Sequence, residues 1–178
     1  MSILKIAKIG HPILLKKGTE IKDFSEENIK KIIYDMSETM IDYNGIGLAA
    51  PQIHISKRII IFRNPEKEEK DKIQITALIN PTFKPINNDQ EDDWEGCLSI
   101  PGMQGLVRRF KKISYSGYDI NGNKIENLAE GLHARVVQHE IDHLNGVLYT
   151  ERLADNKAFG FEKEIIEYWK NEKTKEKT

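Results

Sequence analysis

Residues 131–146 read Gly131-Leu132-His133-Ala134-Arg135-Val136-Val137-Gln138-His139-Glu140-Ile141-Asp142-His143-Leu144-Asn145-Gly146, and their period decides the architecture. Leu132, Val136, His139 and His143 fall at i, i+4, i+7 and i+11, which puts them on one face of a helix. Asn145-Gly146 supplies the stop signal. On that face His139-Glu140-Ile141-Asp142-His143 forms an H-E-x-x-H: two imidazoles one turn apart can reach one metal ion, with Glu140 beside them. Both histidines sit on the apolar face of the expected helix, which a chance match would rarely achieve.

Working outward, the chain upstream of this helix is rich in short β-prone runs. They lie at Arg58–Phe62, Ile73–Ile79, Lys112–Ile120 and Lys124–Leu128, and the last two flank Asn121-Gly122, a dipeptide suited to a tight hairpin turn. A first helix is expected after Phe24, with Ser25 as N-cap, Glu26 and Glu27 in its first turn, and Ile29, Ile32, Ile33, Met36 and Met40 as its apolar face. Asn44-Gly45 ends it. A final amphipathic helix is expected from about Ala158, with Phe161, Ile165, Ile166 and Trp169 inward. The small-residue stretch Gly45–Gln52 does not read as an ordinary strand, and the charge-dense segments 65–72 and 87–93 read as solvated loops. The expectation is an α+β fold in which antiparallel β-sheets pack around the central H-E-x-x-H helix, with one helix near each end. Residues 1–170 form a single domain in this reading, and 171–178 a disordered charged tail.

Composition narrows the function classes. With 39% hydrophobic residues and a mean hydropathy of -0.54, the chain can build a core, but its longest purely apolar run, Ile59–Phe62, cannot cross a membrane. The amino-terminal Met1-Ser2-Ile3-Leu4-Lys5-Ile6-Ala7-Lys8 is broken by charge and does not read as a signal peptide. Twenty-seven Lys and Arg against 28 Asp and Glu give a formal net charge of -1, which argues against a nucleic-acid surface. The single cysteine, Cys97, excludes an intrachain disulfide and suits a reducing compartment; it is a packer, a nucleophile or a metal ligand.

A catalytic divalent site commonly has three protein ligands and an open position. A metzincin-like third histidine would fall at position 149, which is Tyr149. A thermolysin-like glutamate could be Glu162 or Glu164, and a soft thiolate could come from Cys97 in Glu95-Gly96-Cys97-Leu98-Ser99. Spacing leaves these last two sources open. A purely structural site would need a fourth ligand; His133 is off the helix face, and His11 and His54 lack motif context.

Three separated blocks, Gly45-Ile46-Gly47-Leu48-Ala49-Ala50-Pro51-Gln52, Glu95-Gly96-Cys97-Leu98-Ser99 and Gln138-His139-Glu140-Ile141-Asp142-His143, resemble in order and wording the signature motifs of the peptide deformylase family. The likeness includes Gly10-His11-Pro12-Ile13-Leu14 and runs from roughly residue 5 to 155. The resemblance implies Cys97, His139 and His143 as ligands of one divalent ion, natively Fe(II), with Zn(II), Ni(II) or Co(II) as alternatives. It implies hydrolysis of the formyl group from the amino-terminal methionine of newly made polypeptides in the bacterial cytosol, releasing formate. Activated water would attack the formyl carbonyl, with Glu140 as general base and then acid. The Gln52 side-chain amide and the Leu98 N–H would stabilise the oxyanion. Gly45, Gly47 and Gly96 would let the backbone run beside substrate, and Ile46, Leu132 and Val136 would form the methionine pocket. A monomer working near the ribosome, with formyl-methionyl nascent peptides as its partners, is the expected setting. Gln104 stands where many members carry a substrate-contacting Arg. Arg109 is expected to pair with Glu95 behind the site.

Overall fold

A computed structural model describes residues 3–24, 27–63 and 74–170. The expected N-cap Ser25 and neighbouring Glu26, the 65–72 loop and the 171–178 tail lie outside the described residues. Helix α1 (Glu27–Asp42) is followed by strands β1 (Gly47–Ala49), β2 (Ile59–Arg63), β3 (Ile75–Pro85), β4 (Gln90–Cys97), β5 (Ile100–Phe110), β6 (Lys112–Tyr118) and β7 (Lys124–Glu130). Helix α2 (Gly131–Leu144), β8 (Phe159–Phe161) and a single turn α3 (Glu162–Glu164), continued as a π-helical turn over Ile165–Lys170, complete the chain. One sheet has the order β1-β2-β3-β6-β7 and the other β4-β5-β8, and every strand pairing is antiparallel. This is the α+β arrangement expected from the sequence.

Strand β2 explains why its sequence does not alternate. Ile60 and Phe62 share a core with Ala134, Val137, Ile141 and Leu144 of α2, whereas Ile59 and Ile61 share another with Ile29, Met36 and Met40 of α1. Successive side chains point to opposite faces, so a strand sandwiched between two helices must be apolar throughout. Helix α2 is consequently central: the five-stranded sheet covers one side of it, and the shorter sheet supplies Glu95, Val107 and Phe110 to the other. Gln138 fastens that second side, since its Oε1 accepts from Phe110 N–H at 3.1 Å and its Nε2 donates to Phe110 O at 2.9 Å.

Three sequence expectations are corrected. Residues 90–93 of the supposed 87–93 loop are strand, because Asp92 lies opposite Arg108 and the pair closes a bidentate salt bridge, Arg108 Nε to Oδ1 and Nη2 to Oδ2, each 2.7 Å. Pairing across the ladder outweighs the low strand preference of aspartate. Part of the small-residue stretch is also strand, with Gly47, Leu48 and Ala49 opposite Phe62, Ile61 and Ile60. The carboxyl-terminal helix begins four residues later than expected and buries only Ile165 of its proposed inner face; Phe161, Ile166 and Trp169 are exposed. It lies against the three-stranded sheet, with Ile165 buried and Trp169 packed edge-on to Trp94 of β4 at 6.0 Å.

Candidate metal centre and active site

The β4–β5 hairpin turns through Leu98 and Ser99, with Cys97 opposite Ile100, and so points the cysteine at the metal-binding face of α2. Cys97 Sγ lies 3.2 Å from His143 Nε2, and the ligand atoms of Cys97, His139 and His143 all fall within 4.8 Å of one another. Among the described residues this is the cluster capable of holding a metal. Glu162 and Glu164, the alternative third ligands, are exposed and outside it. The thermolysin-like arrangement therefore has neither of its two candidate glutamates in the cluster, and the third ligand atom beside the two histidines is the thiol of Cys97.

Electrostatics prepare the ligands. Burial disfavours the Cys97 thiolate, but the neighbouring imidazoles, His143 foremost, outweigh it and hold the thiol well below its ordinary value. His139 Nδ1 is 2.9 Å from Glu95 Oε2. A carboxylate can only accept, so Nδ1 carries the proton and the Nε2 lone pair is free for an ion. Glu95 is buried, and burial alone would raise its pKa; the hydrogen bonds from His139 and Arg109 reverse this and keep it ionised. Arg109 binds it through Nε and Nη2, each at 3.0 Å, as expected from the sequence.

The sequence assigns no role to the further members of this network. Arg135 Nη1 donates to Glu95 Oε1 at 2.8 Å and to Val107 O at 2.9 Å. Asp142 is buried and accepts from Arg109 Nη1 and from Arg152 Nε and Nη2. Arg135, Gln138 and Asp142 fall at i, i+3 and i+7, a polar stripe beside the metal face, and that stripe is the signal sequence reading could have used.

Glu140 stands against Gly47. A Cβ at position 47 would lie 2.3 Å from Glu140 Oε1, so the glycine makes room for the carboxylate itself. Burial pushes Glu140 up to about 7, against the pull of His139 and His143. Gln52 is buried at the end of the 3₁₀ turn Ala50–Ile53. Its Oε1 accepts from Ala49 N–H at 2.8 Å, which turns its NH2 group toward Cys97 Sγ at 3.5 Å and Ser99 Oγ at 3.2 Å. Ile46, Gly47, Gln52, Glu95, Gly96, Cys97, Leu98, Leu132, Val136, His139 and Glu140 all border one cleft of about 590 Å³. Val136 is buried at its wall, while Ile46 and Leu132 are partly open to it. His143 and Arg109 lie behind this surface, both buried.

The site fits an ion. A thiolate converges with two imidazoles, and beside them Glu140 Oε2 is buried without a hydrogen-bond partner. Fold and site together define the class: an α+β hydrolase of the metalloenzyme kind, in which an H-E-x-x-H helix faces a cysteine.

The chain belongs to the polypeptide deformylase family, whose model matches residues 3–159. It is a hydrolase that removes the N-formyl group from nascent polypeptides. It is 44% identical to peptide deformylase 1 of Nitrosomonas europaea over 162 residues, 89% of this chain and 92% of that one. A class I type b peptide deformylase structure from Acinetobacter baumannii superimposes with a TM-score of 0.80 at 33% identity, covering 86% of this chain and all of the other. A second structure from that organism, bound to Met-Ala-Ser, gives 0.77 at 32% identity, covering 85% of this chain and 100% of its own.

Proposed function

We propose that deformylation is carried out by Cys97, His139 and His143 as ligands of a divalent ion, Glu140 as proton carrier, and Gln52 with the Leu98 N–H as oxyanion donors. The observation that carries this reading is the convergence of one thiolate and two imidazoles within 4.8 Å on a cleft bordered by Glu140. When bound, the ion supplies Lewis acidity, polarising a carbonyl and acidifying water. Glu140 is the group that takes the proton from water at its carboxylate and returns it to the departing amine, since a poor nitrogen leaving group must be protonated before it leaves. The Gln52 NH2 stands 3.5 Å from Cys97 Sγ, beside the ligand cluster, and in this reading donates to the oxygen on which charge develops. Leu98, in the turn beside Cys97, offers the second donor from its backbone. Ile46, Leu132 and Val136 provide an apolar wall for the methionine side chain, and Gly45, Gly47 and Gly96 border the same cleft, where their missing side chains leave room for Leu98, Glu140 and Gln104. A Cβ at Gly45 would come 3.1 Å from Leu98 Cδ1.

One thiolate and two imidazoles accommodate Fe(II), Zn(II), Ni(II) and Co(II), and Fe(II) is the native ion in our reading. We place the reaction in the cytosol, near the ribosome and with a monomeric enzyme. Among the described residues, no helix is long and apolar enough to cross a membrane. The test is anaerobic metal analysis beside formate release from formyl-Met-Ala-Ser, the formylated form of the peptide bound to the Acinetobacter relative. Wild type is expected to bind one ion and release formate, and Cys97→Ser to lose both. A Cys97→Ser protein that keeps metal and activity would overturn the assignment.

A further inference from the structure

Glu162 lies outside the Cys97–histidine cluster, yet it borders the same cleft, where its Oε1 accepts from Gln104 Nε2 at 2.8 Å. Gln104 sits opposite Gly96 in the β4–β5 ladder and opposite Gly160 in the β5–β8 ladder. It is therefore one strand spacing, about 4.8 Å, from the residue preceding Cys97. A Cβ on Gly96 would lie 3.8 Å from Gln104 Cγ, so the glutamine occupies the face that Gly96 leaves bare. Trp94, two residues earlier on β4 and thus on that same face, also borders the cleft. Trp169 packs edge-on against it at 6.0 Å.

We propose that Glu162, Gln104 and Trp94 form an outer subsite for a cationic side chain, lysine or arginine, on one of the two residues that follow the formylmethionine. An extended peptide advances about 3.3–3.6 Å per residue. With the formyl group at the Cys97–histidine cluster, those two residues reach the strand spacing beyond Gly96. Glu162 supplies the charge, Gln104 fixes the direction of its carboxylate, and the indole of Trp94 offers an electron-rich face to the ammonium or guanidinium. Among the described residues bordering the cleft, Glu95 and Glu140 are buried at the metal end, and Glu162 is the exposed carboxylate. The lysine and arginine that border it are engaged elsewhere. Arg135 is spent on Glu95, Val107 O and Glu91 O, while Lys8 donates to Leu98 O at 2.7 Å and lies over the Tyr43 ring.

This inference rests on the deformylation reading, and the experiment separates the two. The kcat/KM for formate release is measured on formyl-Met-Ala-Ser, and on formyl-Met-Lys-Ser and formyl-Met-Ser-Lys against their Glu counterparts, with wild type and Glu162→Gln. The better Lys peptide is expected to exceed its Glu counterpart about three- to tenfold at low salt, through KM rather than kcat, with the ratio shrinking in high salt. In Glu162→Gln that ratio should fall to within about twofold of one. A wild-type ratio near one, or a ratio that survives in Glu162→Gln, overturns the subsite. No formate from formyl-Met-Ala-Ser overturns the deformylation reading beneath it.

Discussion

Arg108 and Arg109 are adjacent in β5, and each makes a bidentate salt bridge to a carboxylate on β4, yet replacing them by alanine should have very different consequences. Arg108 and its partner Asp92 are 55% and 32% exposed, whereas Arg109 and Glu95 are both 5% exposed. Water takes over the contacts that Arg108 gives up, so Arg108→Ala should cost no more than about 1 kcal/mol in urea unfolding. Arg109→Ala takes two of the four hydrogen bonds that Glu95 accepts, leaving Arg135 and His139, and it takes Arg109 Nη1 from Asp142, whose remaining partner Arg152 is 49% exposed. Uncompensating a buried charge in this way costs about 3–5 kcal/mol. That is a large share of the roughly 5–15 kcal/mol by which folded domains are stable. For a domain of this size it corresponds to a fall in Tm of about 6–20 °C. The assay is urea and thermal unfolding of the metal-loaded proteins, followed by chelator competition. Because Glu95 also orients His139, metal affinity should fall about 10–100-fold as well. An Arg109→Ala protein that unfolds with the Arg108→Ala variant and holds its metal as tightly as wild type would refute the reasoning.

Gly47→Ala would set a Cβ 2.3 Å from Glu140 Oε1 and push the carboxylate aside; kcat should fall about 100-fold while the metal content measured on the same sample stays at one ion. Gln52→Ala removes an oxyanion donor, and formate release should slow about 100- to 1,000-fold in kcat. In the metal-free protein Glu140 is raised from 4.5 to about 7, so its protonation favours the fold fully below about 4.5 and that contribution disappears as pH rises through 7. The shift corresponds to about 3 kcal/mol. Comparing metal-free wild type with Glu140→Gln by urea unfolding should therefore show the variant gaining in relative stability between pH 5 and pH 8, and a constant difference would contradict the buried carboxylate. Arg58, immediately before β2, donates to Leu144 O at 3.1 Å, Asn145 Oδ1 at 3.0 Å and Pro81 O at 3.3 Å. It thus satisfies the carboxyl end of α2, and Arg58→Met should lower the urea-derived stability by about 1–3 kcal/mol.

What could be read in the sequence was set by local period and by short motifs. The 3.6-residue repeats of α1 and α2 located both helices, and Asn121-Gly122 located the β6–β7 turn, because in each case neighbouring residues carry the signal. The site residues named from the motif resemblance border one cleft or lie directly behind it. Strands β1, β4 and β5 were invisible for the opposite reason: Gly47, Asp92, Asp93 and Gly105 are poor strand formers, and partners farther along the chain hold them in the ladder. The carboxyl-terminal helix was misread because Phe161, Ile166 and Trp169 look like a buried stripe, when Phe161 belongs to β8 and all three stay exposed on the three-stranded sheet. Arg135 and Asp142 look like solvent-facing residues of an amphipathic helix; they are interior because α2 has a sheet on each side.

That double burial accounts for the extent of the charged network. An acceptor at Nδ1 fixes the tautomer and orientation of an imidazole that ligates through Nε2, and for His139 a backbone carbonyl or a carboxylate could serve. Here the acceptor is Glu95, and since β4 lies against the covered side of α2 its charge cannot be left to water. Arg109 and Arg135 answer it, one from β5 and one from α2 itself. Two buried guanidiniums around one carboxylate leave an excess positive charge, which Asp142 offsets from one turn beyond Gln138 on the same polar stripe of α2. Asp142 in turn is shared with Arg152, and there the chain of charges reaches solvent. Each step follows from the one before it once His139 is held by a buried carboxylate. The same contacts that aim the histidine also fasten the β4–β5 hairpin, and with it Cys97, to the helix. Ligand geometry and domain stability are therefore one structural property here, and a substitution at Glu95, Arg109, Arg135 or Asp142 should disturb both together.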